Sequence, residues 1–182
     1  MTWNLPNKLT VMRAVMVPFF VAALLWKDGT VYGLRLLALA LFCVASFTDY
    51  LDGHIARKYN LVTNFGKFMD PLADKLLVCS ALICMVQLKQ LPAWIVIIII
   101  AREFIISGFR LVASDQGIVI AASMWGKSKT VSQMISIVLL ILNFDDGLPG
   151  ILTFVSVIVM TVLTVVSLVD YLMKNRQVLT EK

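Results

Sequence analysis

Charge is absent from six stretches of this chain. Residues 14–26, 36–48, 76–88, 90–101, 130–144 and 147–169 contain no Asp, Glu, Lys or Arg. Only the last has the roughly 20 residues that carry an α-helix through a bilayer. The others become long enough if each helix runs on past its charge-free core and keeps its charges at one end. That pattern predicts six helices, near residues 9–26, 34–58, 64–88, 92–114, 128–144 and 149–173. Burying the shorter runs in a soluble domain is the alternative. It leaves too few polar side chains to cover a water-facing surface, because 60% of the 182 residues are hydrophobic and 15% are charged. A mean hydropathy of +0.90 points the same way. The expected fold class is therefore an all-α integral membrane protein with six transmembrane helices. No linker, repeat or low-complexity segment divides it, so residues 1–182 are expected to form a single domain.

The net charge of +5 then becomes a topological signal. Basic residues gather on the cytoplasmic side of membrane proteins. Lys8, Arg13, Arg57, Lys58, Lys67, Lys75, Arg102, Arg110, Lys127, Lys129, Lys174, Arg176 and Lys182 all fall at one face of the predicted layout. Only Lys27, Arg35 and Lys89 fall at the other, whose last loop carries Asp145 and Asp146. Both termini are expected in the cytoplasm, in a multi-pass protein of the cell membrane. The positive charge suits anionic headgroups, and no nucleic-acid pattern accompanies it. The first apolar run ends in LWKDGT without a cleavage site, so it is read as helix one rather than a signal peptide. Cys43, Cys79 and Cys84 lack metal-type spacing and are read as packing residues. Trp3, Trp26, Trp94 and Trp125 sit near span ends, where interfacial anchoring accounts for them.

One segment breaks the apolar pattern. DYLDGHIARKYNLVTNFGKFMDPLADK, from residue 49 to 75, holds Asp49, Asp52, Asp70 and Asp74 among four of the chain's bases. Aspartate is costly in a membrane helix and argues there for function. At about 100° per residue, Asp52 lies about 60° from Asp49, Gly53 about 40° and Ala56 about 20°. Two carboxylates and two small residues thus share a face. Gly66, Asp70 and Asp74 form a second stripe at four-residue spacing, provided the helix continues through Pro71 from about Thr63. Two helices joined by a short loop are expected to be antiparallel neighbours with the stripes facing. Four uncompensated carboxylates would repel and take up protons, whereas divalent cations would hold them together. Ligation by oxygen alone favours Mg²⁺ or Mn²⁺, and a pair of such ions grips phosphate oxygens around a reacting bond. Gly53 and Ala56 leave room for a flat group, and Arg57 could reach a phosphate. A charged loop with ordinary helix caps accounts for Lys58 and Lys67 but gives no reason for two aligned acidic stripes.

DYLDGHIARKYNLVTNFGKFMDPLAD resembles the signature of the CDP-alcohol phosphatidyltransferase family at each of its fixed positions, D-x2-D-G-x2-A-R-x8-G-x3-D-x3-D. NLPNKLTVMR, AREFIISGFR and GKSKT are similar, more narrowly, to bacterial phosphatidylglycerophosphate synthases, and the resemblance covers nearly the whole chain. It implies six membrane helices around a cytoplasm-facing polar active-site cavity, usually in a homodimer. It also implies transfer of a phosphatidyl group from CDP-diacylglycerol to an alcohol, with release of CMP. By motif position, Asp49, Asp52, Asp70 and Asp74 would bind two divalent metals, and Asp74 would also be the base for the acceptor hydroxyl. Gly53, Arg57 and Thr63 would hold the donor headgroup, with Ala56 beside them. Asn7 and Thr10 share a helix face with Arg13 and are assigned with the family to the CDP-diacylglycerol site; anchoring at the interface is the other reading.

A phosphorylated acceptor needs cations of its own. Arg102, Arg110, Lys127 and Lys129 are the candidates for sn-glycerol 3-phosphate, arginine being suited to bidentate phosphate contacts. A structural Glu103–Arg110 pair is the competing reading for Glu103. GKS at 126–128 is not a phosphate loop, since residue 121 is Ala where that loop needs Gly. His54 has no acid partner at catalytic spacing and is read as a loop residue. The expected activity is formation of phosphatidylglycerophosphate. A cardiolipin-forming enzyme is the runner-up and an inositol phosphate acceptor a third choice. A divalent-cation transporter would instead place its acids along a path near the midplane.

Overall fold

The computed structural model describes residues 5–58, 64–115, 120, 123–144 and 147–176. The side chains of residues 5, 6, 50–58, 64–68, 70, 71, 74 and 115 lie outside that description. Six α-helices occupy the described residues: α1 (Leu5–Leu25), α2 (Tyr32–Lys58), α3 (Asn64–Gln87), α4 (Ala93–Asp115), α5 (Met124–Leu142) and α6 (Gly147–Lys174). Among the described residues, three segments are long and apolar enough to cross a membrane, Asn7–Gly29, Tyr32–Asp49 and Gly147–Lys174. At 1.5 Å per residue the 23 residues of the first reach about 34 Å, against a hydrocarbon core of about 30 Å. The chain forms two compact units, residues 1–90 and 91–182.

In the first unit α1 packs against both α2 and α3. The α1–α2 reversal is tight: Lys27, Asp28 and Gly29 all have positive φ. Gly29 is required here, since a Cβ would meet an Arg35 guanidinium nitrogen at 3.0 Å and the Leu24 carbonyl oxygen at 3.2 Å. The Arg35 Nε donates to the Gly29 carbonyl and fastens the turn to α2. The buried stripe of α1 changes character along its length. Val17, Phe20 and Leu24 are apolar, whereas Asn7, Thr10 and Arg13 are polar and equally buried. Phe20 packs against Phe42 of α2 in a tilted pair with ring centroids 5.9 Å apart. Seven residues earlier on α1 and seven later on α2, two turns along, come Arg13 and Asp49. α3 runs unbroken through Pro71 from Asn64, the continuation that the second acidic stripe requires.

In the second unit α6 packs against α4 and α5. Ser136 of α5 donates to the Ser156 carbonyl of α6 at 2.9 Å, and Phe109 of α4 meets Tyr171 of α6 edge to face at 5.7 Å. α5 begins at Met124, four residues before the expected boundary. Ser123 caps it, its hydroxyl accepting from the Gly126 N–H at 3.2 Å. Lys127 and Lys129 consequently lie on the first turns of α5. Two other expectations change. His54 falls within α2 rather than in a loop. Cys43 is exposed and Cys79 intermediate, so only Cys84 is a buried packing residue.

Candidate active site

The residues of the first constellation fall on three helices of the first unit. Asp49, Asp52, Gly53, Ala56 and Arg57 lie on α2, whose helix is continuous to Lys58, so their spacing puts the two acids and two small residues at neighbouring register positions. Asp70 and Asp74 lie one helical repeat apart on α3. The side chains of Asp52, Arg57, Asp70 and Asp74 lie outside the described residues, as does the whole of Thr63. Asn7 and Thr10 lie on α1 with relative exposures of 5% and 0%.

Asp49 supplies the geometry. Arg13 Nη1 donates to its Oδ1 at 2.5 Å, joining α1 to α2. The Arg13 side chain is fully buried, while 39% of the Asp49 side chain stays accessible. A buried guanidinium carries a large desolvation cost and is held in place by a partner of opposite charge. The carboxylate is therefore held by α1 through Oδ1 while part of its side chain stays accessible, which fits a ligand for a hard cation. The donor set on α2 and α3 is made of carboxylates alone, the chemistry that Mg²⁺ and Mn²⁺ prefer.

The second constellation lies in the second unit, around Glu103 of α4. Arg102 Nη1 donates to Glu103 Oε1 at 2.9 Å, and Lys129 of α5 donates to the same oxygen. Lys129, 2% exposed, also donates to Gln133 Oε1. Arg102 extends the network to α6, its Nε donating to Ser167 Oγ at 3.2 Å, and its Nη2 faces Gly126, where a Cβ would sit 3.7 Å away. Ser107 turns back to the Glu103 carbonyl at 2.7 Å. The pairing of Glu103 thus crosses helices instead of running along α4 to Arg110. Arg110 is exposed, its guanidinium carbon 5.9 Å from the centre of the Tyr171 ring, within cation–π range. Lys127 is exposed at one end of a mainly apolar groove of about 720 Å³ between α5 and α6. Among the described residues one acid, Glu103, is met by two buried cations, so cations outnumber acids there. Gln133, Ser167 and Tyr171 escaped sequence reasoning because each touches a charged residue of another turn or helix.

A family model described as CDP-alcohol phosphatidyltransferase matches residues 3–172. A Bacillus subtilis protein named CDP-diacylglycerol–glycerol-3-phosphate 3-phosphatidyltransferase is 49% identical over 150 residues, 78% of each chain. A Mycobacterium tuberculosis protein named as a probable phosphatidylglycerophosphate synthase is 43% identical over 171 residues, 92% of this chain and 79% of its own. A Haemophilus influenzae protein with the first of these names is 36% identical over 177 residues, 94% of this chain and 93% of its own. Matches of this identity and extent, over a chain that carries each fixed signature residue, mean that the protein belongs to the CDP-alcohol phosphatidyltransferase family.

Proposed function

We propose that this enzyme transfers the phosphatidyl group of CDP-diacylglycerol to sn-glycerol 3-phosphate, giving phosphatidylglycerophosphate and CMP. The observation that carries the reading is the acidic signature on α2 and α3, bordered by a buried polar stripe of α1 in which Arg13 grips Asp49. The names of relatives at 36–49% identity support the choice of acceptor.

Two divalent cations, Mg²⁺ or Mn²⁺, would supply the positive charge that binds the donor pyrophosphate and stabilises the departing CMP. Asp49, Asp52, Asp70 and Asp74 would hold them. Gly53 and Ala56 give the cytidine and pyrophosphate room, and Arg57, Thr63, Asn7 and Thr10 fix the donor headgroup. Arg102, Arg110, Lys127 and Lys129 attract the acceptor phosphate; the exposed Arg110 and Lys127 reach it first, and Arg102 offers the guanidinium edge that faces Gly126. Asp74 takes the proton of the acceptor hydroxyl as its oxygen bonds to the phosphorus bearing diacylglycerol. The phosphoanhydride bond to CMP breaks in the same displacement. Desolvation and orientation of the hydroxyl at the carboxylate supply the general-base contribution.

Six spans with both termini cytoplasmic would keep acyl chains in lipid and the pyrophosphate at the cytoplasmic boundary of the cell membrane. The whole chain, 1–182, would act as one catalytic domain, in a homodimer. The test is an acceptor panel: purified protein in detergent micelles with CDP-diacylglycerol, Mg²⁺ and glycerol 3-phosphate, phosphatidylglycerol or inositol phosphate. Lipid product only from glycerol 3-phosphate is the expected result. Cardiolipin from phosphatidylglycerol, with no phosphatidylglycerophosphate, would overturn it.

A further inference from the structure

We infer that Arg13 is a positioning residue for the divalent-metal site, holding Asp49 in the orientation that receives the cation. The inference rests on the metal reading above. It starts from a cost: Arg13 sits within an apolar helix, its side chain is entirely buried, and nothing about crossing a membrane calls for it. Its position is set by the packing of two antiparallel helices. The Phe20–Phe42 contact fixes their register, and two turns further the same register delivers Arg13 Nη1 to Asp49 Oδ1 at 2.5 Å. The neighbouring positions on this stripe, Thr10 and Asn7, are buried as well, so Arg13 belongs to a continuous buried polar stripe of α1. Arg13 reaches Asp49 at Oδ1 from that stripe, and 39% of the Asp49 side chain remains accessible.

Charge alone would make Arg13 a competitor, because a guanidinium beside a metal ligand repels the incoming cation. Orientation makes it a support, since a carboxylate already fixed through one oxygen loses little freedom when the metal arrives. Groups that hydrogen-bond metal ligands are typically worth about 10–100-fold in metal affinity. The burial and short contact of Arg13 place it with such groups. The two effects have opposite signs, so the direction of a single change separates them.

The experiment is Mn²⁺ binding to the purified full-length protein, without nucleotide or acceptor, followed by electron paramagnetic resonance of the free ion. Arg13→Met should weaken binding about ten-fold or more. Arg13→Lys, which keeps the charge and one donor, should fall between Arg13→Met and the wild type. Unchanged or tighter Mn²⁺ binding by Arg13→Met overturns the inference. If that variant cannot be purified folded, Arg13→Lys decides, and wild-type affinity in it overturns the inference equally. Asp49→Asn tells the two readings apart: undiminished Mn²⁺ binding there removes Asp49 from the metal site and refutes the metal reading itself. Loss in Asp49→Asn with no loss in Arg13→Met refutes only the role of Arg13.

Discussion

The two charged regions are opposite solutions to the same problem. On α2 and α3 the sequence places four aspartates, and Arg13 of α1 grips Asp49. Around Glu103 the balance inverts, with two buried or nearly buried cations converging on one carboxylate oxygen. A helix protein rich in apolar surface tolerates either surplus only when something compensates it. A surplus of carboxylates takes divalent cations, and a surplus of cations takes an anionic phosphate. On the proposed reading, the two substrates meet protein charge of opposite sign, the donor through metal held by carboxylates and the acceptor through cations directly.

Breaking the acidic side should have the largest effect. Asp49→Asn, Asp52→Asn and Asp70→Asn are each expected to lose more than about a hundred-fold in turnover, since even a group behind a metal ligand is typically worth 10–100-fold. EDTA should reproduce the loss and added Mg²⁺ should reverse it, read as lipid-incorporated glycerol 3-phosphate. Asp74→Asn sharpens the same side. It should lose turnover to a similar extent yet still retain CDP-diacylglycerol in an equilibrium binding assay with Mg²⁺, because an amide oxygen can face a cation but cannot accept the proton. Wild-type turnover in Asp74→Asn with an unaltered pH profile would move the base elsewhere.

On the basic side the first effect should be on stability. Glu103→Gln leaves Lys129, 2% exposed, and Arg102, 8% exposed, without their shared carboxylate. A cost on the order of 3 kcal/mol follows, measured as a lower denaturation midpoint in detergent. The smallest effect belongs to the α5 cap. Ser123→Ala removes one acceptor from the Gly126 N–H and should cost about 1 kcal/mol, with the CDP-diacylglycerol requirement unchanged.

Much of this was legible in the residues. Charge-free runs located six helices to within a few residues, and aligned aspartates marked α2 and α3 before any fold was known. Boundaries failed where polar chemistry rather than hydropathy sets them. α5 starts early because Ser123 caps it through a stretch that reads as loop. Partners failed for a different reason, since helical periodicity reports neighbours on one helix only. It offered Arg110 to Glu103, whereas packing supplied Lys129, 26 residues away. The Arg13–Asp49 pair, 36 residues apart, had a faint signal. An arginine inside a span demands an acid at the same depth, and two antiparallel helices around the turn at 26–29 bring Asp49 there in register with Phe20 and Phe42. The Cys43 reading failed because apolar composition cannot distinguish a helix face that packs from one that remains exposed.

The division of labour between the regions is tested most directly by steady-state kinetics on two conservative variants, with Mg²⁺, CDP-diacylglycerol and glycerol 3-phosphate each varied in turn. Asp70→Glu keeps a carboxylate but moves it by a methylene, and should raise the requirement for Mg²⁺ and for CDP-diacylglycerol while leaving the glycerol 3-phosphate KM unchanged. Arg110→Lys keeps a charge but loses the bidentate fork, and should raise the glycerol 3-phosphate KM several-fold with the other two requirements unchanged. Asp70→Glu shifting the acceptor KM as strongly as the metal requirement, or Arg110→Lys shifting the donor KM as strongly as the acceptor KM, would contradict the account.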